Sequence, residues 1–171
     1  MIRINYIHQA IHFIVFQIIQ IPLLYRLILF DKAFGFFYIG FILLIPYGLS
    51  RSRVMSLGLV SGLIIDVFSN TPGIHASACV FLAFIRDYWF NISNEPAEDE
   101  IEINLNVIGL WGFIKYTYPL IFVHHSIIFI IENGGLMTFG LLFSKIFYSS
   151  LLSFLIILTI GFLITPRRRR I

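Results

Sequence analysis

Long apolar runs separated by short polar breaks dominate the chain. A helix needs about 20 mostly apolar residues to cross roughly 30 Å of hydrocarbon, and several runs approach that length. The pattern therefore predicts six transmembrane helices, at about residues 7–25, 33–49, 53–69, 74–90, 110–131 and 145–165. Only SNTPG separates the third run from the fourth, so these two are expected to form a tight antiparallel hairpin.

The last apolar stretch, 136–165, is too long for one upright span, because about 30 helical residues extend for ~45 Å. We expect an interfacial piece at 136–144, followed by a span that begins near Lys145. A single, strongly tilted helix with Lys145 near the middle of the membrane is the alternative, and the sequence leaves both open.

The composition is typical of a chain that lipid solvates. Of its 171 residues, 58% are hydrophobic and 12% are charged, whereas a soluble domain of this size needs more polar residues to cover its surface. We therefore predict an all-α integral membrane protein that forms a single domain over residues 1–171. Residues 7–25 are longer than a signal-peptide core and no small-residue cleavage site follows them, so they are expected to remain as the first span.

The basic residues are unevenly divided between the two sides that six spans create. With both termini inside, the cytoplasmic side receives Arg3, Arg51, Arg53, Arg86 and the run Arg167–Arg170 in the basic tail 166–171. The far side keeps Arg26, Lys32 and Lys145. Because cytoplasmic segments are enriched in Lys and Arg, both termini are predicted to be cytoplasmic and SNTPG to face outward. The arginine run is too short to indicate nucleic acid binding.

A hydrophilic stretch, NISNEPAEDEIEINLN at 91–106, then forms a cytoplasmic loop. It contains five acidic residues and no basic one. A solvated loop is the simplest interpretation, and a docking strip for a basic partner is the alternative.

Polar residues stand on both sides of the hairpin turn. Pro72 and Gly73 suit a tight turn, and Asp66 and His75 lie at similar depth on either side of it. A carboxylate just inside the apolar zone is unfavourable unless it is paired or hydrated. We expect Asp66 to bond with His75 and with the open N–H groups of the fourth helix. It then either ties the hairpin together or contributes to an outward-facing pocket or partner contact.

The same hairpin predicts three further features. Asn70 or Thr71 is suited to cap the start of the fourth helix. Helical spacing places four residues on one protein-facing stripe, namely His75, Cys79, Leu82 and Arg86. Gly58 and Gly62 provide a small face for close helix packing, and Arg53 is expected to pair with Asp87 at the inner end.

His124 and His125 are adjacent in the fifth span and point about 100° apart. A hydrogen bond between helices from one of them is therefore expected, rather than a metal site that both share. The sequence contains no catalytic or nucleotide-binding motif of the familiar kinds, and its single cysteine excludes an internal disulfide. We expect neither an enzyme nor a protein with a metal or cofactor.

The hairpin sequence GLVSGLIIDVFSNTPGIHASACVFLAFIRDYW, residues 58–89, resembles the signature region of the rod shape-determining membrane protein family MreD. The variant found in Bacteroidetes is the most similar, and HHSIIFIIE at 124–132 resembles a later helix of that variant. The positions that match the family motif are Asp66, Asn70, Pro72, Gly73, His75 and Arg86. The resemblance implies that these residues shape a cavity or a partner surface.

The resemblance also implies a non-catalytic scaffold subunit of the bacterial cell-elongation machinery in the inner membrane. Such a subunit binds MreC and helps couple MreB to the peptidoglycan polymerase–transpeptidase pair. Its fold is expected to be similar to the substrate-binding component of energy-coupling-factor vitamin transporters.

Two alternatives stay open beside the scaffold. One is a small-molecule-binding subunit of a vitamin transporter, although the Ala-x-x-x-Ala pattern typical of that class is missing because Ile14 follows Ala10. The other is a binder or flippase of a lipid-linked precursor, with Asp66, His75 and Arg86 in one polar cavity.

Overall fold

The computed structural model describes residues 6–23, 28–29, 33–95 and 101–164. Within these ranges the chain forms helices α1 Tyr6–Leu23, α2 Ile39–Leu44, α3 Arg51–Ser69, α4 Ile74–Ser93, α5 Leu105–Asn133 and α6 Phe139–Ile164. Two short strands, β1 Ile28–Leu29 and β2 Ala33–Phe34, pair antiparallel. The described residues do not include Arg3, Arg26, Lys32 or the basic tail 166–171, whose charges orient the predicted topology. Residues 96–100 of the predicted acidic loop also lie outside them.

Three of the described helices, α3, α5 and α6, are long and apolar enough to cross a membrane. Their outward side chains include exposed Val60, Trp111 and Leu155, as expected for helices that face lipid. α1 contains a shorter apolar stretch, Ala10–Pro22. The prediction of a mostly helical chain is therefore confirmed, and the apolar helices indicate a membrane protein.

The predicted hairpin agrees closely with the structure. Predicted spans 53–69 and 74–90 correspond to α3 and α4, with the turn between them. A Cβ atom at Gly62 would overlap the backbone of Ala76, and one at Gly58 would lie 3.0 Å from the carbonyl oxygen of Cys79. The predicted close packing at the two glycines is therefore confirmed. We call the end of the molecule with the turn the apex end and the opposite end the base end.

The predicted helix at 33–49 is wrong. After β2 the backbone is irregular, α2 has only six residues, and residues 45–50 are irregular again. Pro46 disfavours helical geometry at the residue before it, and Ile45 is accordingly extended, with a ψ of 135°. Gly48 then takes a φ of 92°, which only glycine adopts without strain.

This irregular stretch, residues 33–50, nevertheless runs through the bundle from end to end, and we call it the core segment. Phe34 lines a cavity with Thr71 of the turn at the apex end. Tyr47 donates a hydrogen bond to Asn91, near the end of α4, at the base end. Residues 35–43 between them are buried. Non-helical backbone at membrane depth is tolerated only where protein or a water-filled cavity surrounds it, and here the surrounding helices supply the cover.

The predicted interfacial piece at 136–144 is also wrong, because α6 is continuous from Phe139 to Ile164. Gly134 and Gly135, both with positive φ, make the turn from α5. Lys145 lies in the second turn of α6, and its ammonium is 3.7 Å from the carboxylate of Glu132 at the end of α5. Lys145 is therefore at the apex end rather than near the middle of the bundle. α5 itself is kinked at Gly109, where φ is 69°.

α1 and α3 run parallel, with both starts at the base end. The side-chain amide of Gln17 donates to the hydroxyl of Ser61. About one helical turn nearer the base, Phe13 of α1 and Leu57 of α3 line one groove. This arrangement requires the chain to return once between the two helices, and the core segment is that return.

Candidate functional site

Asp66 caps the start of α4 from the end of α3. Its Oδ1 accepts the Thr71 hydroxyl at 2.7 Å and the His75 backbone N–H at 2.9 Å, and its Oδ2 accepts the Ala76 N–H at 2.9 Å. The first N–H groups of a helix have no partner inside it, and the helix dipole favours an anion there. The predicted bonding of Asp66 to the open N–H groups is confirmed, and the carboxylate joins α3 to α4.

The turn uses its residues differently from the prediction. Gly73 is the residue at the N-terminal cap of α4 and Asp66 provides the acceptor, so the prediction that Asn70 or Thr71 caps this helix is wrong. Asn70 instead ends α3 in the left-handed conformation, with a φ of 54°. Asn70 and Pro72 are exposed at the apex. The turn is thus an exposed surface, and the carboxylate of Asp66 beside it is turned inward.

The ring of His75 points away from Asp66, into the middle of the bundle. Its Nδ1 is 2.9 Å from the Tyr38 hydroxyl, and that hydroxyl is 3.0 Å from Nε2 of His124. With both imidazoles neutral, the Tyr38 hydroxyl donates to one of these ring nitrogens and accepts from the other, in the order that the histidine tautomers set. The expected bond between the His75 side chain and Asp66 is therefore replaced by a chain from α5 through the core segment to α4.

Tyr38, His75, Cys79 and His124 together form what we call the central cluster. All four are almost completely buried, and the Cys79 sulfur lies 3.8 Å from the Tyr38 hydroxyl. Nδ1 of His124 has no hydrogen-bond partner among the described residues. Within the part of the chain that the structure describes, no group of three His, Cys, Asp or Glu side chains is arranged to hold a metal.

His125 points to a different neighbour. Its Nδ1 lies 2.8 Å from the carbonyl oxygen of Ile121 and its Nε2 lies 3.0 Å from the Ser153 hydroxyl. Because the carbonyl can only accept, Nδ1 carries the proton and Ser153 donates to Nε2. The prediction that a histidine of this pair bonds to another helix is confirmed, since Ser153 belongs to α6.

Arg86, completely buried in α4, binds backbone carbonyls of the core segment. Nη1 donates to the oxygen of Ile42 at 2.7 Å, Nη2 donates to that of Pro46 at 2.9 Å, and Nε donates to Asp87 at 2.7 Å. Carbonyls at the end of a helix lack partners inside it, and the dipole there favours a cation. Arg86 therefore stabilises the point where α2 ends.

The predicted ion pair between Arg53 and Asp87 is wrong. Asp87 accepts from its sequence neighbour Arg86, whereas Nε of Arg53 donates to the Ser50 hydroxyl at 2.7 Å. The buried guanidinium needs an anionic neighbour more than an exposed one does. The predicted protein-facing stripe of α4 is confirmed, because His75, Cys79, Leu82 and Arg86 are all buried.

The rest of the core segment takes its partners from α1, α5 and α6. The Gln20 side chain accepts the N–H groups of Phe37 and Tyr38, at 2.8 and 3.1 Å, and donates to the Gly35 oxygen at 3.1 Å. The Ser153 hydroxyl accepts the Phe36 N–H at 2.9 Å. Further partners are Ser149 for the Phe34 N–H and Tyr116 for the Leu43 oxygen.

A cavity of about 260 Å³ opens at the apex end, and we call it the apex cavity. It is lined by Phe34, Phe36, Ser69, Thr71, His75, Phe129 and Glu132. The ammonium of Lys145 lies 4.8 Å from the ring centre of Phe34 and 4.3 Å from that of Phe129. Aromatic faces attract cations at such distances, so Lys145 is held beside Glu132 at the edge of this cavity.

The predicted site residues therefore fall into three places. Asp66, Asn70, Pro72 and Gly73 lie at the apex turn, and Arg53, Arg86 and Asp87 lie toward the base. Between them, His75 and His124 belong to the central cluster, and His125 bonds beside it to α6. His75 and Arg86 both bond to the core segment, but at different depths, at Tyr38 and at Ile42 and Pro46. Asp66 bonds to backbone N–H groups of α4 and lines a different cavity from His75.

Sequence reasoning missed Tyr38, Gln20 and Ser153. For Gln20 and Ser153, the available signal was a polar residue within an apolar helix. That signal does not identify the partner, because Ser150 has the same character and its hydroxyl has no partner among the described residues.

Comparisons of the chain with protein-family models, curated proteins and solved structures gave no significant match. The relation to the rod shape-determining family therefore stays a prediction from the residues of the hairpin motif.

Proposed function

We propose that the chain is a non-catalytic membrane scaffold subunit of the bacterial cell-elongation complex, which binds MreC and helps couple MreB to lateral peptidoglycan synthesis. The observation that carries this proposal is the use of the charged motif residues. Asp66 and Arg86 are both buried and both bond to backbone groups. Motif residues engaged in this way join α3 to α4 and α4 to the core segment, and are not free to react with a substrate.

The proposed topology has six crossings in the inner membrane, of which the core segment is the second. The parallel arrangement of α1 and α3 supports an even number of crossings before α3. Arg51, Arg53 and Arg86 lie toward the base, and the enrichment of cytoplasmic segments in Arg and Lys supports a cytoplasmic base, with both termini there. The proposed fold is similar to that of the substrate-binding components of vitamin transporters. A test of this similarity should ask whether those proteins also have an irregular second crossing like the core segment.

The outer face of α3 is the surface that we propose for the transmembrane helix of MreC. It presents exposed Leu59, Val60, Leu63 and Val67 on the outside of the motif hairpin. In lipid, helices associate through close packing and a few hydrogen bonds rather than through apolar burial. A hairpin that is rigid because its glycines let α3 and α4 approach closely suits this kind of contact.

Site-specific photo-crosslinking tests the proposal. A photoreactive amino acid is placed at Leu63 or Val67, and as a control at Leu155 on the exposed face of α6. Crosslinking to MreC of the same cell at positions 63 and 67, but not at 155, is expected. Equal crosslinking at all three positions, or isolation of the intact complex without MreC, contradicts the proposal.

The apex cavity favours a second candidate, a subunit that binds a small molecule. Three phenylalanines, a carboxylate and an imidazole line this cavity, a mixture typical of small-ligand sites. Native mass spectrometry of the chain purified from its own cell distinguishes the candidates. A retained small molecule that Glu132→Gln releases supports the binding subunit, whereas an empty chain that crosslinks to MreC supports the scaffold.

A further inference from the structure

A second cavity lies at the base end, and we call it the base groove. It has a volume of about 520 Å³ and is lined by Ala10, Phe13, Phe41, Leu49, Ser52, Arg53, Ser56 and Leu57. Phe41 and Leu49, which are 3% and 6% exposed, form its floor. The Phe13 ring packs edge-on against Phe41, with 5.0 Å between centres. The groove is thus a preformed apolar channel between α1, the core segment and α3.

The described lining of the groove carries a positive charge. Among the described residues that line it, Arg53 is the only charged one, beside the hydroxyl-bearing Ser52 and Ser56. Nε of Arg53 bonds to the Ser50 hydroxyl, and Arg53 is exposed. Among the described residues, Arg51 and Arg53 form no salt bridge. The first N–H groups of α3 add positive potential at the same place.

We propose that the base groove binds an anionic phospholipid, with an acyl chain in the apolar channel and the phosphate headgroup at Arg53. An acyl chain suits a channel whose lining is mostly hydrocarbon. Arginine is suited to phosphate because its planar fork donates two parallel hydrogen bonds. A transmembrane helix of a protein partner is a poorer occupant, because one end of the groove presents a cation and two serines.

The position of the groove agrees with this occupant. Arg53 lies in the first turn of α3, and the apolar part of the groove extends from there toward the middle of the bundle, at Phe13 and Leu57. Arginine next to the end of an apolar helix lies at headgroup depth in a bilayer. A lipid whose headgroup lies at Arg53 can therefore place its acyl chain in the apolar part of the groove at the same time.

Native mass spectrometry of the full chain with two lipids tests the proposal. Phosphatidylglycerol and phosphatidylcholine with identical acyl chains are added to the delipidated protein. Wild type is expected to retain phosphatidylglycerol preferentially, and Arg53→Gln to lose about fivefold in that preference, the effect of one basic contact to an anionic headgroup. Arg51→Gln is the matched control, because its guanidinium lies 5.2 Å from the Phe84 ring of α4 instead of lining the groove.

A second variant tests the channel itself. Ser56→Phe places a ring in the groove from an exposed position and is expected to reduce retention of both lipids. Slow alkylation of buried Cys79, as in wild type, verifies that each variant is folded. Equal losses for Arg51→Gln and Arg53→Gln overturn the proposal, since they indicate general charge attraction. Unchanged lipid retention in Ser56→Phe overturns it as well, since the lipids then bind elsewhere.

Discussion

The α3–α4 hairpin and the core segment both extend between the apex end and the base end, but they satisfy their backbones in opposite ways. The two helices of the hairpin bond internally and need help only at the turn, where Asp66 accepts two N–H groups of α4. The core segment has six helical residues and depends on side chains of α1, α4, α5 and α6.

This difference explains why several buried polar residues stand in the apolar helices. An unsatisfied backbone group is strongly unfavourable where no water is present. Gln20, Arg86 and Ser153 thus act as backbone partners of the core segment. The comparison predicts that losing such a side chain destabilises the centre of the molecule, whereas losing Asp66 affects only the apex.

Arg86→Met should have the largest effect. It removes two charge-assisted hydrogen bonds to the core segment, and we expect the free energy of unfolding in mixed detergent to fall by about 3–5 kcal/mol. Alkylation of Cys79 should accelerate, because this buried thiol packs against Tyr38 of the same segment. Arg51→Met is the control, since Arg51 is exposed. Unchanged protection of Cys79 in Arg86→Met would show that the core segment does not depend on this side chain.

Gln20→Leu should have the next largest effect. It leaves the N–H groups of Phe37 and Tyr38 and the Gly35 oxygen without their partner. We expect a loss of about 2–4 kcal/mol in the free energy of unfolding, since a typical hydrogen bond of this kind contributes roughly 0.5–1.5 kcal/mol net. Gln17→Leu is the matched control one turn away, because Gln17 bonds to a side chain, that of Ser61. Equal destabilisation by the two variants contradicts the assigned role of Gln20.

Asp66→Asn tests the other half of the comparison. The amide keeps one acceptor oxygen and turns a donor toward one of the N–H groups, so we expect a loss of about 1–2 kcal/mol. Hydrogen exchange should accelerate at the amides of His75 and Ala76, while Cys79 remains protected. Thr71→Val, which removes only the hydroxyl contact to Asp66, should give a smaller change at the same amides. Loss of protection at Cys79 in Asp66→Asn would mean that the apex and the centre are not independent.

The parts of the fold that follow from local rules could be predicted from the sequence. The hairpin is such a part, because run length, the Pro-Gly turn and the spacing of Gly58 and Gly62 are all local features. The partner of Asp66 is ten residues away at most, so the N–H groups it bonds could be predicted too.

The core segment could not be predicted in the same way. An apolar run that is buried on all sides has the same hydropathy as a transmembrane helix, so residues 33–49 resemble a span although most of them are not helical. Pro46 and Gly48 were the signals that favoured an interruption. The partners of Arg86 are 40 and 44 residues away, and such contacts depend on how the helices assemble rather than on local pattern.

Ser153→Ala should have the smallest effect, and with Ser150→Ala as its control it sharpens the comparison most. Both serines are fully buried in α6, but Ser153 bonds to the Phe36 N–H and to His125, whereas the Ser150 hydroxyl has no partner among the described residues. We expect Ser153→Ala to lower the free energy of unfolding by about 1–2 kcal/mol and Ser150→Ala to leave it nearly unchanged. The two substitutions remove the same atom from the same helix, so a difference between them measures the hydrogen bonds of Ser153 rather than lost volume. If both variants lose the same free energy of unfolding, packing accounts for the effect, and the hydrogen bonds of Ser153 do not contribute measurably to stability.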